Sequence, residues 1–412
     1  MNRTSLFSRA LGGLAAGALV LLASCGGGGG GGRPTALQSA ANAGIDNAAS
    51  PLVPGANVLR ITVDRGTDGS AINTPFVTVR VCQPGTATCV DIDHVVLDTG
   101  SSGLRVAASA LPAGMTLAPV TNAGGQAVGQ CAQFASGFSW GSVRLADVRM
   151  GGEVASNLPI QVVNDTALAY SQVPASCSAT GADIGAGRGA NGILGVGFFR
   201  EDCGAACDLG PPGAPNFYYG CNAGGGCLPS RLALGSQVSN PVMSFANNNN
   251  GVVVVLPAVP SGGAGLASGS LLLGVGTQSN NQLGTATVFA ANAQGFITTT
   301  YQGVEFRSSF LDSGSNGMFF NDAALPSCGD FYCPDTSPLP LTAVNTSAAG
   351  VSAQVDFFID DVRLIRSNGA AAHIGGTTSI PDSFDYGLPF FFGRSVSVGF
   401  AAPNGPGPFW AY

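Results

Sequence analysis

Short apolar runs separated by turn residues recur along the chain from residue 57 onwards. Residues 58–63 and 76–81 nearly alternate apolar and polar positions and are rich in β-branched side chains, which is typical of half-buried strands. Further strands are predicted at residues 252–256, 270–275, 285–289, 295–300, 304–306, 355–365 and 394–400. Because no stretch has the apolar period of a strong amphipathic helix, the pattern predicts an all-β fold.

One longer segment has a different pattern. Residues 134–150 carry Gly and Ser in their first half, alternate apolar and polar residues afterwards, and end at Gly151-Gly152. We interpret this segment as a hairpin that projects from the body of the protein and returns to it. Cys82 and Cys89 are expected to close the loop of a separate hairpin.

Two of the apolar runs end in an aspartate within the same short pattern. The first reads Val-Val-Leu-Asp-Thr-Gly-Ser-Ser-Gly around Asp98, and the second reads Ser-Phe-Leu-Asp-Ser-Gly-Ser-Asn-Gly around Asp312. An acid at the end of a buried strand is costly unless nearby donors satisfy it. The residues that follow each aspartate offer hydroxyl and amide donors: Thr99, Gly100 and Ser101 in the first turn, and Ser313, Gly314 and Ser315 in the second.

The repetition suggests a shared chemistry for the two aspartates. If two similar lobes are related by a pseudo-two-fold axis, Asp98 and Asp312 come face to face. Two carboxylates about 3 Å apart cannot both ionise, so such a pair holds one proton over a broad pH range. One member then acts as general base on a shared water, while the protonated member polarises a carbonyl group. This chemistry requires neither a metal ion nor a cofactor.

The composition limits the other functions that the chain can have. Only 9% of its 412 residues are charged, while glycine alone contributes 62, which fits short strands joined by many turns. The formal charge of −7 and the lack of a basic patch argue against nucleic-acid binding. A chain of this length is expected to form about two domains. We place an N-terminal lobe at residues 56–240 and a C-terminal lobe at residues 241–412.

The first 25 residues have the features of an export signal. A basic start precedes an apolar stretch at residues 11–22 that is short for a membrane span. Leu22-Ala23-Ser24-Cys25 then resembles the lipobox of bacterial lipoproteins, which implies that Cys25 carries a lipid anchor. The residue after Cys25 is Gly and not Asp, which implies an outer-membrane destination. Residues 26–55 are expected to form a disordered, Gly- and Ala-rich tether. An ordinary cleaved signal peptide is the alternative.

Ten cysteines remain when Cys25 is set aside, and an even number in an exported chain indicates disulfides. Two close pairs, Cys82/Cys89 and Cys328/Cys333, are spaced to staple single loops. The group at positions 203, 207, 221 and 227 leaves an alternative open, because four thiolates can hold a zinc ion. An oxidising compartment favours disulfides at these positions as well.

Three further patterns allow more than one interpretation. Residues 192–199 are Gly-rich, but their order is not that of a dinucleotide fingerprint, and we interpret them as close backbone packing beneath the first acidic turn. Residues 137–141, Gly-Phe-Ser-Trp-Gly, match the nucleophile elbow of serine hydrolases at Ser139, but the following segment alternates like a strand. His94, four residues before Asp98, is expected to be a structural residue.

The paired motifs resemble the active-site turns of pepsin-like, two-lobed aspartic peptidases. Asp-Thr-Gly-Ser-Ser at residues 98–102 and Asp-Ser-Gly-Ser at residues 312–315 match those turns. Gly-Ile-Leu-Gly at residues 192–195 is similar to the element that crosses behind the first turn, and residues 134–152 are similar to the flap hairpin. Residues 387–400 look like the crossing element and final strand of the second lobe. The chain also resembles an uncharacterised family of bacterial secreted proteins that carry the same twin motifs.

The resemblance implies a cell-envelope aspartic endopeptidase with its cleft between the lobes. Asp98 and Asp312 would be its catalytic pair, acting on a peptide or unfolded protein held in extended form. The resemblance implies no cofactor and no metal ion, attachment to the membrane only through the lipid anchor, and a monomer.

Several departures from the family pattern bear on this function. Phe134 or Phe138 stands where the flap carries a tyrosine, and Trp140 is a further flap candidate. Arg105 replaces the tryptophan that partners the tyrosine. Asp-Tyr at residues 385–386 precedes Gly387, where two apolar residues are expected. The alternative function is therefore a non-catalytic peptide- or envelope-binding protein that keeps the same fold.

Overall fold

The computed structural model describes residues 47–49, 52–211, 215–365, 369–401, 405 and 407–412. The predicted signal peptide, the lipid-anchor residue Cys25 and most of the predicted tether lie outside the described residues. Within the described ranges, no helix has the length and apolar character needed to cross a membrane.

Strands supply most of the regular structure. They are β1 (Asn47–Ala49), β2 (Val58–Asp64), β3 (Thr74–Cys82), β4 (Cys89–Asp98), β5 (Ser102–Ala107), β6 (Ala127–Phe134), β7 (Gly137–Met150), β8 (Glu153–Val163), β9 (Gly192–Val196), β10 (Tyr218–Cys221), β11 (Cys227–Pro229), β12 (Gly251–Val255), β13 (Leu266–Leu273), β14 (Val288–Ala290), β15 (Ile297–Tyr301), β16 (Val304–Leu311), β17 (Met318–Phe319), β18 (Ser327–Cys328), β19 (Phe331–Tyr332), β20 (Leu339–Thr346), β21 (Ser352–Ile359), β22 (Gly375–Gly376), β23 (Asp385–Tyr386), β24 (Ser395–Gly399) and β25 (Phe409–Ala411).

The helices of the described residues are single turns. The α-helices are α1 (Ala175–Ser178), α2 (Ala205–Leu209) and α3 (Leu388–Phe391). The 3-10 turns are Ala108–Ala110, Leu168–Tyr170, Leu234–Ser236, Pro241–Ser244 and Val362–Leu364. The predicted all-β class is therefore confirmed for the part of the chain that the structure describes.

Six strands from the first half of the chain close into a ring. Their order is β7–β8–β5–β9–β4–β3, and β3 pairs with β7 to complete the circle. Side chains from these strands, among them Val79, Leu97, Leu104 and Ile160, are fully buried in the main core. Ring closure removes free edges between these six strands. It also holds β4, which carries Asp98, between β3 and β9.

Strands from both halves of the chain share the same large sheet. Strand β2 pairs with β13, and β12, β24, β25 and β14 follow in that order. Val254, Leu271 and Val396 from these strands are fully buried in the main core. Continuous strand pairing therefore joins the first half of the chain to the second.

A second sheet, with nine described strands, carries the other acidic turn. Its order is β18–β19–β22–β17–β23–β16–β15–β20–β21. Buried aromatic rings pack beside it: Phe320 stacks on Phe384 and Phe384 stacks on Tyr386, each with ring centroids 4.5 Å apart. These rings fix the segments around β17 and β23 next to the end of β16, where Asp312 follows.

The ten cysteines of the described region form five disulfides. The pairs are Cys82–Cys89, Cys131–Cys177, Cys203–Cys207, Cys221–Cys227 and Cys328–Cys333. The prediction of disulfides is confirmed, including the two that each close a single loop, Cys82–Cys89 and Cys328–Cys333. The zinc alternative is wrong, because all four sulfurs of that group are bonded in pairs and carry no free thiolate.

The predicted hairpin at residues 134–150 is wrong in its boundaries. Residues Gly137–Met150 form one continuous strand, and the chain reverses before it, at residues 135–136 between β6 and β7. The glycines and serines in this strand permit close packing: a Cβ on Gly141 would lie 2.0 Å from the Val162 carbonyl oxygen. The predicted strand at residues 355–365 is also too long, because β21 ends at Ile359 and a 3-10 turn follows.

Candidate active site

Asp98 is the last residue of β4 and follows three buried residues. Strand β4 pairs in parallel with β9, where Asp98 lies opposite Gly195, and β9 pairs with β5 on its other side. A Cβ on Gly195 would lie 2.7 Å from the Ser102 backbone nitrogen, which is too close for any side chain. The predicted close packing of the Gly-rich run beneath the first turn is therefore confirmed.

Asp312 follows β16 and has matching surroundings. Its amide donates a hydrogen bond to the Tyr386 carbonyl oxygen over 2.9 Å. Strand β23 pairs in parallel with β16 and antiparallel with β17, as β9 does with β4 and β5. A Cβ on Gly387 would lie 2.0 Å from the Gly317 carbonyl oxygen. Two turns that are far apart in sequence are thus built on the same local plan.

Reciprocal hydrogen bonds lock the two turns together. The Thr99 amide donates to Ser313 Oγ over 3.1 Å, and the Ser313 amide donates to Thr99 Oγ1 over 2.9 Å. Each hydroxyl also donates to the strand that leads to the other aspartate: Thr99 Oγ1 to the Leu311 carbonyl oxygen at 2.9 Å, and Ser313 Oγ to the Leu97 carbonyl oxygen at 2.7 Å. All four bonds are buried, so they fix the separation of the two aspartates.

Each turn also holds its own carboxylate. An amide of the turn donates to the inner oxygen, Oδ1, and a serine hydroxyl three residues after the aspartate donates to Oδ2. The bonds are Gly100 N–Asp98 Oδ1 (2.8 Å), Ser101 N–Asp98 Oδ1 (3.2 Å), Ser101 Oγ–Asp98 Oδ2 (2.5 Å), Gly314 N–Asp312 Oδ1 (2.8 Å) and Ser315 Oγ–Asp312 Oδ2 (2.9 Å). The structure therefore brings together all eight residues that the sequence singled out at the twin motifs.

The two carboxyl groups face each other across a narrow gap. A Cβ on Gly314 would lie 2.9 Å from Asp98 Oδ1 and 3.1 Å from Asp312 Oδ1, so the two oxygens flank a single point. On the opposite turn, a Cβ on Gly100 would lie 2.7 Å from Asp312 Oδ1. Only glycine fits at either place without displacing a carboxylate.

The pKa of Asp312 is raised well above its ordinary value. Burial is the largest cause, followed by the negative charges of Asp98 and Asp385 and by a hydrogen bond with Asp98. The hydrogen bond from Ser315 acts in the opposite direction. The pair of aspartates therefore keeps a proton at pH values where an isolated aspartate is ionised.

Thr99→Val is expected to destabilise the protein by about 2–3 kcal/mol. Valine has nearly the shape of threonine, but it leaves the Leu311 carbonyl group and the Ser313 amide without their buried partner. Urea unfolding measures the effect. Thr78→Val, on an exposed position of β3, is the matched control and should change the free energy of unfolding by less than about 0.5 kcal/mol. If both variants lose the same free energy of unfolding, the reciprocal hydrogen bonds do not stabilise the two turns as described.

The flap candidates lie in two different surroundings. Phe138 and Trp140 are each 3% exposed and pack in a small core with the Cys131–Cys177 disulfide. Trp140 Nε1 donates to the Tyr170 carbonyl oxygen over 2.9 Å. Phe134 is the last residue of β6, half-buried beside the hairpin tip. Of the three candidates, Phe134 alone lies at the tip.

Arg105 connects this hairpin tip to a buried acid. Its guanidinium carbon lies 5.4 Å from the centre of the Phe134 ring, within range of a cation–π contact, and its Nη2 is 2.9 Å from Asp202 Oδ2. Asp202 also accepts hydrogen bonds from the Tyr218 hydroxyl and the Gln130 amide. Burial raises the pKa of Asp202 to about 6, although the charge of Arg105 opposes the shift. The sequence marked Arg105 as a departure but did not indicate this network.

Two other sequence candidates lie elsewhere. Ser139 is fully buried within β7, where its hydroxyl donates to the Gly185 carbonyl oxygen. The nucleophile-elbow alternative is wrong, because β7 continues as a strand to Met150 and no helix follows Ser139. His94 lies 3.5 Å from Asp64 and 5.0 Å from the centre of the Phe76 ring, which fits its expected structural role.

Asp385 is a third carboxyl group at the site that the sequence did not indicate as functional. Its Oδ2 lies 2.7 Å from Ser315 Oγ, and its side chain is 5% exposed. The only signal in the sequence was that an acid stands where an apolar residue is expected.

Within the part of the chain that the structure describes, no group of three or more His, Cys, Asp or Glu side chains is arranged to hold a metal ion. Two surface cavities, of about 510 and 450 Å³, open near Met150 and near Phe199, and neither is lined by Asp98 or Asp312.

The chain belongs to a family described as a protein of unknown function, DUF3443, whose model matches residues 54–412. No curated protein matches the sequence. Among solved structures, the aspartic proteinase from Irpex lacteus is similar over 86% of this chain and 96% of that chain, with 14% sequence identity and a TM-score of 0.49. Because the family description assigns no activity, the function has to follow from the chemistry of the site.

Proposed function

We propose that this protein is an aspartic endopeptidase in which Asp98 and Asp312 activate one water molecule to hydrolyse a peptide bond. The observation that carries the proposal is the contact between two carboxyl groups on matching, mutually locked turns. The raised pKa of Asp312 supports it, because a pair that shares one proton contains both a base and an acid.

The proposed reaction uses only these two side chains and water. The ionised carboxylate takes a proton from the water as its oxygen attacks the peptide carbonyl carbon. The protonated carboxyl group gives its proton to the carbonyl oxygen, so a neutral tetrahedral intermediate forms. The carboxyl group that took the water proton then gives it to the amide nitrogen, while one hydroxyl of the intermediate returns its proton to the other carboxylate. The carbon–nitrogen bond breaks, and the dyad is again singly protonated. Ser101 and Ser315 hold the outer oxygens in place throughout.

The proposal includes a pepsin-like arrangement of two lobes, at residues 56–240 and 241–412, related by a pseudo-two-fold axis. The shared plan of β4–β9–β5 and β16–β23–β17 supports this arrangement, as do the reciprocal bonds between the turns. An extended peptide would bind in the cleft between the lobes. Phe134, backed by Arg105, is the residue that we assign to the flap over the cleft.

We also propose a bacterial cell-envelope location for the protein, as a monomer tethered to the outer membrane through lipidated Cys25. The lipobox-like sequence supports the anchor. Five disulfides support an oxidising compartment outside the cytoplasm. The substrate class that fits the cleft is a peptide or an unfolded protein.

The purified protein is expected to cleave an unfolded protein between about pH 3 and 7, where such a dyad can be singly protonated. A statine-type peptide, which carries a hydroxyl group in place of the attacking water, is expected to block the cleavage. Fragment analysis by mass spectrometry and inhibitor binding by calorimetry measure the two effects. The absence of both cleavage and inhibitor binding across that range would defeat the proposal.

A further inference from the structure

Ser315 Oγ lies between two carboxyl groups. It is 2.9 Å from Asp312 Oδ2 and 2.7 Å from Asp385 Oδ2. A hydroxyl group has one hydrogen to donate, while an ionised carboxylate can only accept. If Asp312 and Asp385 were both ionised, one of these contacts would join two acceptors. One of the two carboxyl groups must therefore supply a hydrogen to Ser315 Oγ.

Asp385 is the carboxyl group placed to supply this hydrogen. Its side chain is 5% exposed, and its second oxygen, Oδ1, has no hydrogen-bond partner among the described residues. An unsatisfied buried oxygen costs far more in a carboxylate than in a neutral carboxyl group. Asp312, by contrast, accepts a bond from the Gly314 amide at Oδ1 and faces Asp98.

The charges around Asp385 favour the same protonation state. Burial is the largest cause that raises its pKa, to about 8, and the negative charge of Asp98 acts in the same direction. The hydrogen bond with Ser315 lowers the pKa of Asp385, and it does so only when Ser315 is the donor. The other charged or titratable groups on neighbouring elements have partners of their own. Glu305 and Arg307 on β16 pair with each other. The Tyr386 hydroxyl donates to Asn345, and Arg394 donates to the Phe390 carbonyl oxygen.

We propose that Asp385 is a positioning residue of the site, whose protonated carboxyl group donates to Ser315 Oγ and so directs the Ser315 hydrogen to Asp312 Oδ2. The consequence for catalysis rests on the proposed peptidase function. Three carboxyl groups then hold two protons, one on Asp385 and one shared by Asp98 and Asp312. When Asp385 ionises, two carboxylates compete for the single Ser315 hydrogen. The hydrogen bond from Ser315 Oγ to Asp312 Oδ2 is then weakened.

The first turn has no equivalent of Asp385. Val96 pairs with Ile193 two residues before Asp98, and Phe310 pairs with Asp385 two residues before Asp312. Ile193 is buried among apolar side chains. The protonated side chain therefore supports only the second aspartate and makes the two halves of the site chemically different.

Carbon-13 NMR of the protein labelled at its aspartate carboxyl carbons tests this inference without any substrate. The wild type is expected to show a carboxyl group that titrates near pH 8. Asp385→Asn should lack this titration. Ser315→Ala should move its midpoint to lower pH, because the neutral Asp385 carboxyl group loses its acceptor.

Unfolding measurements give a second readout. The unfolded chain releases the Asp385 proton near its ordinary pKa of about 4, whereas the folded wild type holds it to about pH 8. Wild-type stability is therefore lost as pH rises through this window. Asp385→Asn stays neutral and still donates to Ser315, so it should become progressively more stable than the wild type between about pH 5 and 8.

Two results would overturn the role of Asp385. The first is an Asp385→Asn spectrum that retains every high-pH titration of the wild type. The second is a Ser315→Ala midpoint that moves upward, which would mean that Ser315 donates to an ionised Asp385. If the titrations come out as expected but no hydrolysis is found, the proposed peptidase function fails while the proton arrangement at Asp385 stands.

Discussion

Asp98→Asn is expected to lower kcat for peptide hydrolysis by at least about 10³-fold. An asparagine side chain can form hydrogen bonds, but it cannot take a proton from the attacking water. Its amide oxygen can still accept from the Gly100 and Ser101 amides, as Asp98 Oδ1 does at 2.8 and 3.2 Å, so the turn should keep its shape. Asp312→Asn should have the same effect, because the dyad acts as a unit.

The matched control for this loss is Asp93→Asn. Asp93 lies on the same strand, β4, but its side chain is 65% exposed, and the variant should keep wild-type turnover. Circular dichroism and binding of a statine-type peptide report whether Asp98→Asn remains folded with an intact cleft. Undiminished turnover in Asp98→Asn would contradict the dyad. Peptide binding by both proteins with turnover by neither would favour the alternative of a binding protein.

Arg105→Leu is expected to destabilise the protein by about 3–5 kcal/mol near pH 8, and by much less near pH 5. Leucine leaves the Asp202 side chain, which is 3% exposed, without its counter-charge. Burial already raises the pKa of Asp202 to about 6 with Arg105 in place, and loss of the cation raises it further. A raised folded-state pKa means that stability is lost as pH rises. This loss ends near pH 6 in the wild type but continues above it in the variant.

Urea unfolding at both pH values measures this effect, and Arg80→Leu is its control. Arg80 pairs with Asp91 at 2.6 Å, but both side chains are about half exposed (51% and 52%). The control should lose no more than about 1 kcal/mol at either pH. If Arg105→Leu loses the same free energy at both pH values, packing and not the charge of Asp202 accounts for the role of Arg105.

The sequence predicts those features that depend on residues close together along the chain. Strands β2 and β3 start and end within two residues of the boundaries expected from alternation, because each strand buries one face. Asp98 and Asp312 are predictable because both end an apolar run and both are followed by the same small donors. The packing role of Gly195 is predictable because it lies in the short Gly-rich run at residues 192–199.

The features that the sequence missed depend on contacts between distant residues. Gly141 lies in the segment interpreted as a projecting hairpin, but in the structure its missing Cβ allows β7 to approach β8. Arg105 and Asp202 are 97 residues apart, and no local pattern links them. The role of Asp385 depends on the register that places β23 beside β16, which brings its carboxyl group to Ser315. Only the folded chain shows that these groups meet.

Hydrolysis in water enriched in oxygen-18 tests the central claim most directly. Wild type and Asp98→Asn are incubated with an unfolded protein between about pH 3 and 7, and the new carboxyl termini are analysed by mass spectrometry. Activation of one water by the dyad predicts that wild-type fragments gain a single heavy oxygen at each new terminus, and that Asp98→Asn produces almost none. No new termini from the wild type, or equal labelled cleavage by both proteins, would contradict the assignment of Asp98 and Asp312 as a catalytic pair.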